Sequence, residues 1–347
     1  MTKPARSRIA SPETRHILGL LALTVVIFLA MSLIRPDLFF TATNFQSMAY
    51  QFPVYGILSI AMMTAMLTGG IDLSIIGTAN LSAILAGLAM IALFPEGGST
   101  VAVLGVALVI GLAVGCLCGI VNGLCIAAIG IPPILATLGT GLVYTGIAVV
   151  ITGGSAVIGF PSSFLTLGNA TLGPVPAPVL VFAAVALVMA FVLNRTTYGV
   201  SVYLFGTNAL ASHYAGLRNG RLILRTYMIC GTLAALAGLI LISRANSAKA
   251  DYGQSYLLIT ILVAVLGGTN PYGGFGRVTG VVLAVLSLQF LSSGLNMMQV
   301  SNFAKELVWG LTLLAAMALA RIEWPAVARR MGAGVGRQTD KPEEGKT

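Results

Sequence analysis

Charge is what this chain has least of. Only 8% of its 347 residues are Asp, Glu, Lys or Arg, and just 10 are acidic. Soluble domains carry about a quarter charged residues. A chain this poor in ionic groups cannot cover a water-facing surface, so lipid is the expected solvent for most of it. Histidine is nearly missing as well. His16 and His213 lie far from Cys116, Cys118, Cys125 and Cys230, and all four cysteines fall within apolar runs. That spacing offers neither a metal-ligand set nor a disulfide framework. No nucleophile elbow and no carboxylate pair falls inside an apolar run, which leaves a membrane-embedded enzyme without a reactive cluster. The net charge of +9 is spread over short segments between apolar runs. Nucleic-acid binding needs basic residues gathered on one folded face, so no nucleic-acid partner is expected.

Apolar residues are abundant. They make up 57% of the chain, the mean hydropathy is +0.95, and there are 41 glycines. Glycine lets membrane helices approach closely. A bilayer crossing needs about 20 residues, and runs near that length recur at 17–34, 47–68, 73–93, 100–128, 133–151, 178–193, 223–243, 256–269, 278–296 and 305–321. The expected fold class is all-α, a polytopic membrane protein with about ten transmembrane helices. The 100–128 run is long enough to tilt, and the 256–269 run is short enough to be a broken helix. Lys3, Arg6, Arg8 and Arg15 precede the first run. Its apolar core is longer than that of a cleaved signal, so it reads as an uncleaved first helix.

Ten crossings return both termini to one side. With that side cytoplasmic, fifteen of the 19 lysines and arginines fall inside, and only Arg35, Arg244, Lys249 and Lys305 fall outside. Positive charge favours that orientation. The expected organisation is a cytoplasmic N-terminal tail at 1–16, a membrane domain at 17–321 and a cytoplasmic tail at 322–347. The polar end of the last tail reads as disordered. The longest outer connection, 152–177, contains Pro161, Pro174 and Pro176. It reads equally as a short surface helix or as an irregular connector.

The runs hold almost no ionisable side chains. Lys305, Glu306 and Arg321 sit at the ends of the last one, and Asp72 sits in the break between the second and third. An intramembrane charge usually marks a proton relay or ion site, so proton coupling lacks its carboxylate. A sodium- or solute-gradient-driven carrier acting alone stays open as an alternative. Neutral polar residues do occur in the runs: Asn80, Ser82, Asn122, Thr137, Thr140, Thr145, Ser287, Gln289 and Asn296. They read as helix–helix hydrogen bonds. Asn80, Asn122, Thr137, Gln289 and Asn296 also read as candidates to line a path for a neutral, hydroxyl-rich solute, which must be released as well as bound.

Three short segments carry the functional reading. In the segment Thr68 to Ser74, Gly69 and Gly70 can turn the chain sharply, and Asp72 or Ser74 can cap the next helix. It reads as a capped turn or as a gate. In the second segment, Asn208 can cap a short helix about 15 Å long. Leu210, His213, Tyr214 and Leu217 would share one face of it, with Gly220 as its stop and Arg218, Arg221 and Arg225 at the lipid headgroups. It reads as a passive interfacial helix or as a docking helix for a cytoplasmic partner. The third segment holds Gly267, Gly268, Gly273, Gly274 and Gly276. A phosphate-binding P-loop needs lysine and then serine or threonine after its second glycine, whereas Gly273 is followed by Gly274 and Phe275. Nucleotide binding therefore fails, and a flexible inner turn or hinge remains. Like the first segment, it starts with Gly-Gly after an inward-running helix.

Taken together, these segments resemble the permease subunits of ribose-type sugar ABC importers. The resemblance rests on Gly69 to Ser74, on Asn122-Gly123, on Pro132 to Gly139, on Gly206, Asn208, Ala211, Ala215 and Gly216, and on Gly231 to Gly238 with Gly267 to Gly274. It covers about residues 45 to 320. Ile75-Ile76-Gly77 and His213 depart from the usual pattern, which bears on docking details. The resemblance implies a bacterial inner-membrane location and a pore made with a second permease copy, alike or related. It implies a cytoplasmic ABC ATPase docked on the Asn208 to Leu217 helix and a periplasmic sugar-binding protein at the outer loops. ATP and Mg would belong to the ATPase, with no cofactor on this chain. The implied cargo is a pentose, hexose or related polyol, and the family also moves a furanosyl signalling molecule.

Overall fold

The computed structural model describes residues 12–95 and 97–321. The 322–347 tail and the first eleven residues of the N-terminal tail lie outside the described residues. In lipid, the backbone groups of a long uncharged run find partners only within the run, so each run closes into a helix. All ten apolar runs are helical: α1 (Pro12–Ile34), α3 (Ala42–Leu67), α4 (Ile75–Leu93), α5 (Thr100–Ala127), α6 (Pro133–Thr152), α8 (Ala177–Arg195), α11 (Asn219–Ala245), α12 (Tyr256–Leu266), α13 (Val278–Met297) and α14 (Asn302–Arg321). Shorter helices intervene: α2 (Pro36–Phe39), α7 (Thr166–Asn169), α9 (Thr197–Thr207) and α10 (Ala209–Tyr214). The all-α polytopic fold is borne out.

Eight of the described helices are long and apolar enough to cross a membrane: α1, α3, α4, α5, α6, α8, α11 and α13. The short 256–269 run forms only the 11 residues of α12, about 16 Å at 1.5 Å per residue, roughly half of a 30 Å hydrocarbon core. The residues before it form turns and the two-residue strand Ser247–Ala248. This is the broken helix expected there. The N-terminal helix starts at Pro12, earlier than residue 17, so the expected tail is partly helical.

The 152–177 connection combines both readings made of it. It holds a 3-10 turn at Ser162–Leu165, then α7, and two-residue strands at Val157–Ile158, Thr171–Leu172 and Val175–Pro176. The first strand pairs with Ser247–Ala248. Ser243 ties the connection to α11: its Oγ donates to the Phe164 carbonyl and accepts from the Gly168 amide, both at 2.8 Å.

The core gathers around α3. The most apolar stretch of α3 is 83% buried, against 22% for α6 and 28% for α5 and α8. The latter three therefore present apolar side chains such as Val101, Leu142 and Leu187 outward, as lipid-facing helices do. α11 packs on α5, α3 and α4 together, and glycine makes that possible. Gly111, Gly115, Gly119 and Gly123 stand four apart on α5, on one helix face. A Cβ on Gly119 would lie 2.8 Å from the Met228 Cα, one on Gly123 would lie 2.8 Å from the Leu224 Cα, and one on Gly115 would overlap the Gly231 carbonyl oxygen. The two backbones touch directly, in the small-residue packing that joins membrane helices.

Gly119→Ala is accordingly expected to cost about 1–3 kcal/mol through overpacking. It would be read as a lowered Tm of the detergent-solubilised protein. Gly105→Ala on the same helix meets nothing within 4 Å and is expected to leave Tm unchanged or slightly raised.

Candidate docking and gating site

Asn208 breaks the helical path between α9 and α10 with an extended backbone (φ −158°, ψ 102°), and its Oδ1 accepts the Ala211 amide at 2.9 Å. This is the N-cap expected from the sequence. The helix is shorter than expected, with six residues and a length of about 9 Å. Gly216, not Gly220, stops it. Gly216 takes φ +82°, and the Leu217 amide donates back to the Ser212 carbonyl at 3.2 Å, a glycine-terminated helix end. Gly220 lies in the first turn of α11 instead.

The outward face of α10 is apolar and bare. Leu210 is 65% exposed and Tyr214 81% exposed, His213 beside them is exposed, and Leu217 is half-buried past the helix end. The opposite face is fixed. Ser212 is buried, its Oγ donates to Asn219 Oδ1 at 2.6 Å, and Asn219 Nδ2 donates to the Ala209 carbonyl at 2.9 Å. α10 is thus bolted to the start of α11 while its apolar face is left open.

The two Gly-Gly segments, 200 residues apart in sequence, meet at the same end of the bundle. Gly69 (φ +74°) faces the Tyr272 carbonyl oxygen, 3.1 Å from where its Cβ would be. Gly268 (φ +84°) sits under the His16 ring, where a side chain would overlap it, and Gly267 lies against Gly280 and Val281. Gly273 and Gly274 also take positive φ, +99° and +76°, backbone angles open chiefly to glycine. Within the loop, Asn270 Oδ1 accepts the Tyr272 amide and its Nδ2 donates to the Gly273 carbonyl.

Next to this junction, Asp72 is buried between α3 and α4. It does not cap α4: Ser74 holds the N-cap position with no side-chain cap bond. Asp72 Oδ1 accepts from the Ser74 amide at 3.0 Å and the Ser74 hydroxyl at 2.6 Å. A local side-chain turn has won over the expected cap. The network continues outward from Ser74. Asn122 Nδ2 donates to Ser74 Oγ at 2.7 Å, and Thr140 and Tyr144 donate to Asn122 Oδ1 at 2.6 and 3.1 Å. Thr137 Oγ1 accepts the Leu73 amide and donates to the Pro133 carbonyl at 2.8 Å. Asn122 and Thr137 therefore clamp the Gly69 to Ser74 turn onto α5 and α6.

A family model described as the permease component of a branched-chain amino acid transport system matches residues 44–317. The chain belongs to this permease family. Over 268 residues the permease is 33% identical to the autoinducer 2 import system permease protein LsrD of Photorhabdus temperata, covering 76% of this chain and 78% of the relative. The protein of the same name from Salmonella typhi is 32% identical over 306 residues, covering 86% and 90%. No solved structure matches. The family assignment and the eight apolar spans make this permease a multi-pass inner-membrane transport component. The likeness to ribose-type importer permeases read from the motifs is borne out at the level of the family, over nearly the same residues.

The remaining path candidates of the permease lie apart from that network. Asn80 Nδ2 donates to the Ala250 and Tyr252 carbonyls, both at 2.9 Å, holding the loop before α12. Gln289 Oε1 accepts from Tyr55 OH at 2.8 Å, linking α13 to α3, while its Nε2 is buried without a partner. Asn296 Oδ1 accepts from Lys305 of α14. Asn80 and Gln289 join elements that are distant in sequence, whereas Asn296 joins the consecutive helices α13 and α14. Tyr55 and Tyr144 are partners that the sequence does not single out, since a lone aromatic in an apolar run gives no local signal.

Burial pushes the Asp72 carboxyl up from its ordinary 3.8 to about 6, against the lowering effect of its two Ser74 bonds. A folded pKa above the unfolded one means that the native state binds the proton more tightly. The stability from this group is therefore complete below about pH 4 and is lost as pH rises through about 6. Wild-type Tm is expected to fall between pH 5 and pH 7.5 on this account. Asp72→Asn keeps the Oδ1 acceptor and is expected to flatten that slope and raise Tm at pH 7.5. Identical slopes in the two proteins would show that the carboxyl is not desolvated.

Proposed function

We propose that this chain is the membrane subunit of an ATP-driven ABC importer for a neutral, hydroxyl-rich solute of furanose or related sugar type. One observation carries the reading: an apolar helix face, at Leu210 and Tyr214, left bare at the end of the bundle where both Gly-Gly loops converge. The end of the bundle carrying Arg195, Arg218, Arg221, Arg225 and Arg277 faces the cytoplasm, in accord with the positive-inside rule. A concavity of about 490 Å³ flanks α10, lined by His213, Leu217, Arg218 and Arg221 among others. No aspartate or glutamate occurs from residue 97 to 250. The chain therefore offers nearby arginines no acid from that whole stretch, and a partner with acidic residues beside an apolar socket fits the surface.

That partner is the ABC ATPase, which carries ATP and Mg. This chain supplies no P-loop and no cofactor. A periplasmic sugar-binding protein delivers cargo to the outer end formed by the 153–176 and 246–255 loops, and a second permease copy, this chain or a related one, completes the pore. The cargo class is supported by the uncharged polar interior, which suits a neutral solute, and by relatives whose names state import of autoinducer 2.

Leu210→Glu with Tyr214→Glu is expected to reduce recovery of the co-purifying ATPase from solubilised membranes by about tenfold or more, the size of a lost interface hot spot. The Arg218→Glu, Arg221→Glu variant is expected to weaken recovery in a salt-dependent way. Uptake into liposomes holding this chain alone under a sodium gradient, with no ATPase present, would overturn the proposal in favour of a gradient-driven carrier. Labelled autoinducer 2 and ribose, offered to vesicles holding the complete complex, discriminate the cargo.

A further inference from the structure

We propose that Gly206 is a positioning residue for coupling. It sits at the centre of a glycine junction that carries displacement of α10 to the inner ends of α3 and α12 together. This rests on α10 being the docking helix, and it adds the route by which docking reaches the membrane.

The junction is built from backbone. Gly206 lies in the last turn of α9, two residues before the Asn208 cap. A Cβ there would overlap both the Leu67 carbonyl oxygen and the Gly274 amide nitrogen. Beneath it, the Gly274 amide donates to the same Leu67 carbonyl at 3.0 Å. A Cβ on Gly273 would lie 2.7 Å from the Gly206 oxygen and 2.9 Å from the Gly69 nitrogen, and one on Gly274 would lie 2.8 Å from the Thr207 nitrogen. The end of α3, the end of α9 and the loop after α12 therefore meet at one point chiefly backbone to backbone, with Thr207 Oγ1 the side-chain atom nearest to it, 2.5 Å from where a Gly274 Cβ would be. Gly69, Gly273 and Gly274 all take positive φ there. Tyr203 adds a side-chain tie, its hydroxyl donating to the Gly276 carbonyl at 2.7 Å.

The mechanical consequence follows from packing. A junction of long side chains can absorb a shift by changing rotamers, whereas close-packed backbone passes it on. α10 continues directly from α9 through Asn208, whose amide donates to the Leu204 carbonyl at 3.1 Å, so a push on its bare face, pivoting on the Ser212–Asn219 tie to α11, moves α9 and the junction together. α3 is the most buried of the spans, and α12 is too short to resist by itself. Force applied at the docking helix thus arrives at the core.

The test is a cargo-free accessibility measurement on the complete permease–ATPase complex in liposomes. A reporter cysteine replaces Tyr272, which is 70% exposed, in a background with the four native cysteines changed to alanine. Maleimide labelling is timed with and without vanadate trapping of the ATPase. With Gly206 intact, trapping is expected to change the labelling rate by about threefold or more, within the span of an energetic coupling between sites. With Gly206→Ala, the ATPase is expected to stay bound and hydrolyse ATP while the change in labelling disappears. Tyr203→Phe adds no atom, and it decides the question should Gly206→Ala fail to accumulate in the membrane: the change in labelling is then expected to fall by about half or more. An unaltered change in the variants, or no change with Gly206 intact, overturns the junction. Retention of the ATPase by the Leu210→Glu, Tyr214→Glu variant would instead sink the docking reading.

Discussion

The structure depends on two helices touching backbone to backbone. Lipid tails are as apolar as leucine, so burying leucine between membrane helices gains little, and association has to come from close packing and polar contacts. The glycines at 111, 115, 119 and 123 remove every side chain from one stripe of α5, and α11 settles into it until Met228 and Leu224 backbone atoms reach contact. α11 then has its other faces free to meet α3 and α4. Tyr227, on the same stretch of α11, is brought over Gly70, where its hydroxyl oxygen would overlap any Cβ. The position of the Gly69 to Ser74 turn therefore follows from that same seam, since the Tyr227 carbonyl oxygen is itself the atom nearest to where a Gly119 Cβ would be.

That turn is then locked by polar bonds that a bilayer setting makes hard to exchange. Ser74, Asn122, Thr140 and Tyr144 form a chain of donors and acceptors running from Asp72 across α5 to α6. No described cation pairs with Asp72, so its burial is held by Ser74 alone and by the stability of the surrounding packing. A carboxylate in this position costs stability and yields a rigid local turn. Ser59, Thr64 and Ser82 bond back within their own helices, while Asn80, Gln289 and Asn296 are bonded across elements in the same way. To meet a passing solute they must change partners, which ties any path through them to movement of the helices they join.

Much of the fold is legible in the sequence because lipid imposes it. All ten apolar runs form helices, and the shortest of them, 256–269, forms the shortest of these helices. The Asn208 cap was also readable, since it needs only residues within three positions. Errors arose where two local outcomes compete. Gly216 and Gly220 both suit a helix stop, and only the left-handed backbone at Gly216 decides it. Asp72 can cap or turn, and the Ser74 hydroxyl, held in place by Asn122, settles for the turn. The four-residue glycine period on α5 is a local signal in the sequence, whereas glycine abundance taken as composition says only that helices pack closely. The pairings Leu73 to Thr137 and Tyr55 to Gln289 had no local signal, because they are set by how distant helices dock.

Glycine serves the two ends of this mechanism for one reason. Between α5 and α11 it lets helices come close enough for dispersion forces to hold them without hydrophobic drive. At Gly206, Gly273 and Gly69 it lets two helix ends and a loop share a point that no Cβ would permit. A side-chain-filled version of either contact would be looser, because rotamers give under load. The first contact keeps α11 and the turn at Asp72 stationary relative to α5. The second makes the inner ends of α3 and α12 follow α9. A helix bundle with one fixed seam and one stiff link has a favoured way to move when α10 is pushed about its tie to the start of α11, with the inner ends of α3 and α12 shifting against the α5–α11 pair. The bonds that cross this divide, such as the Cys230 thiol of α11 to the Ala61 carbonyl of α3 at 3.2 Å, are the ones such a movement must strain first.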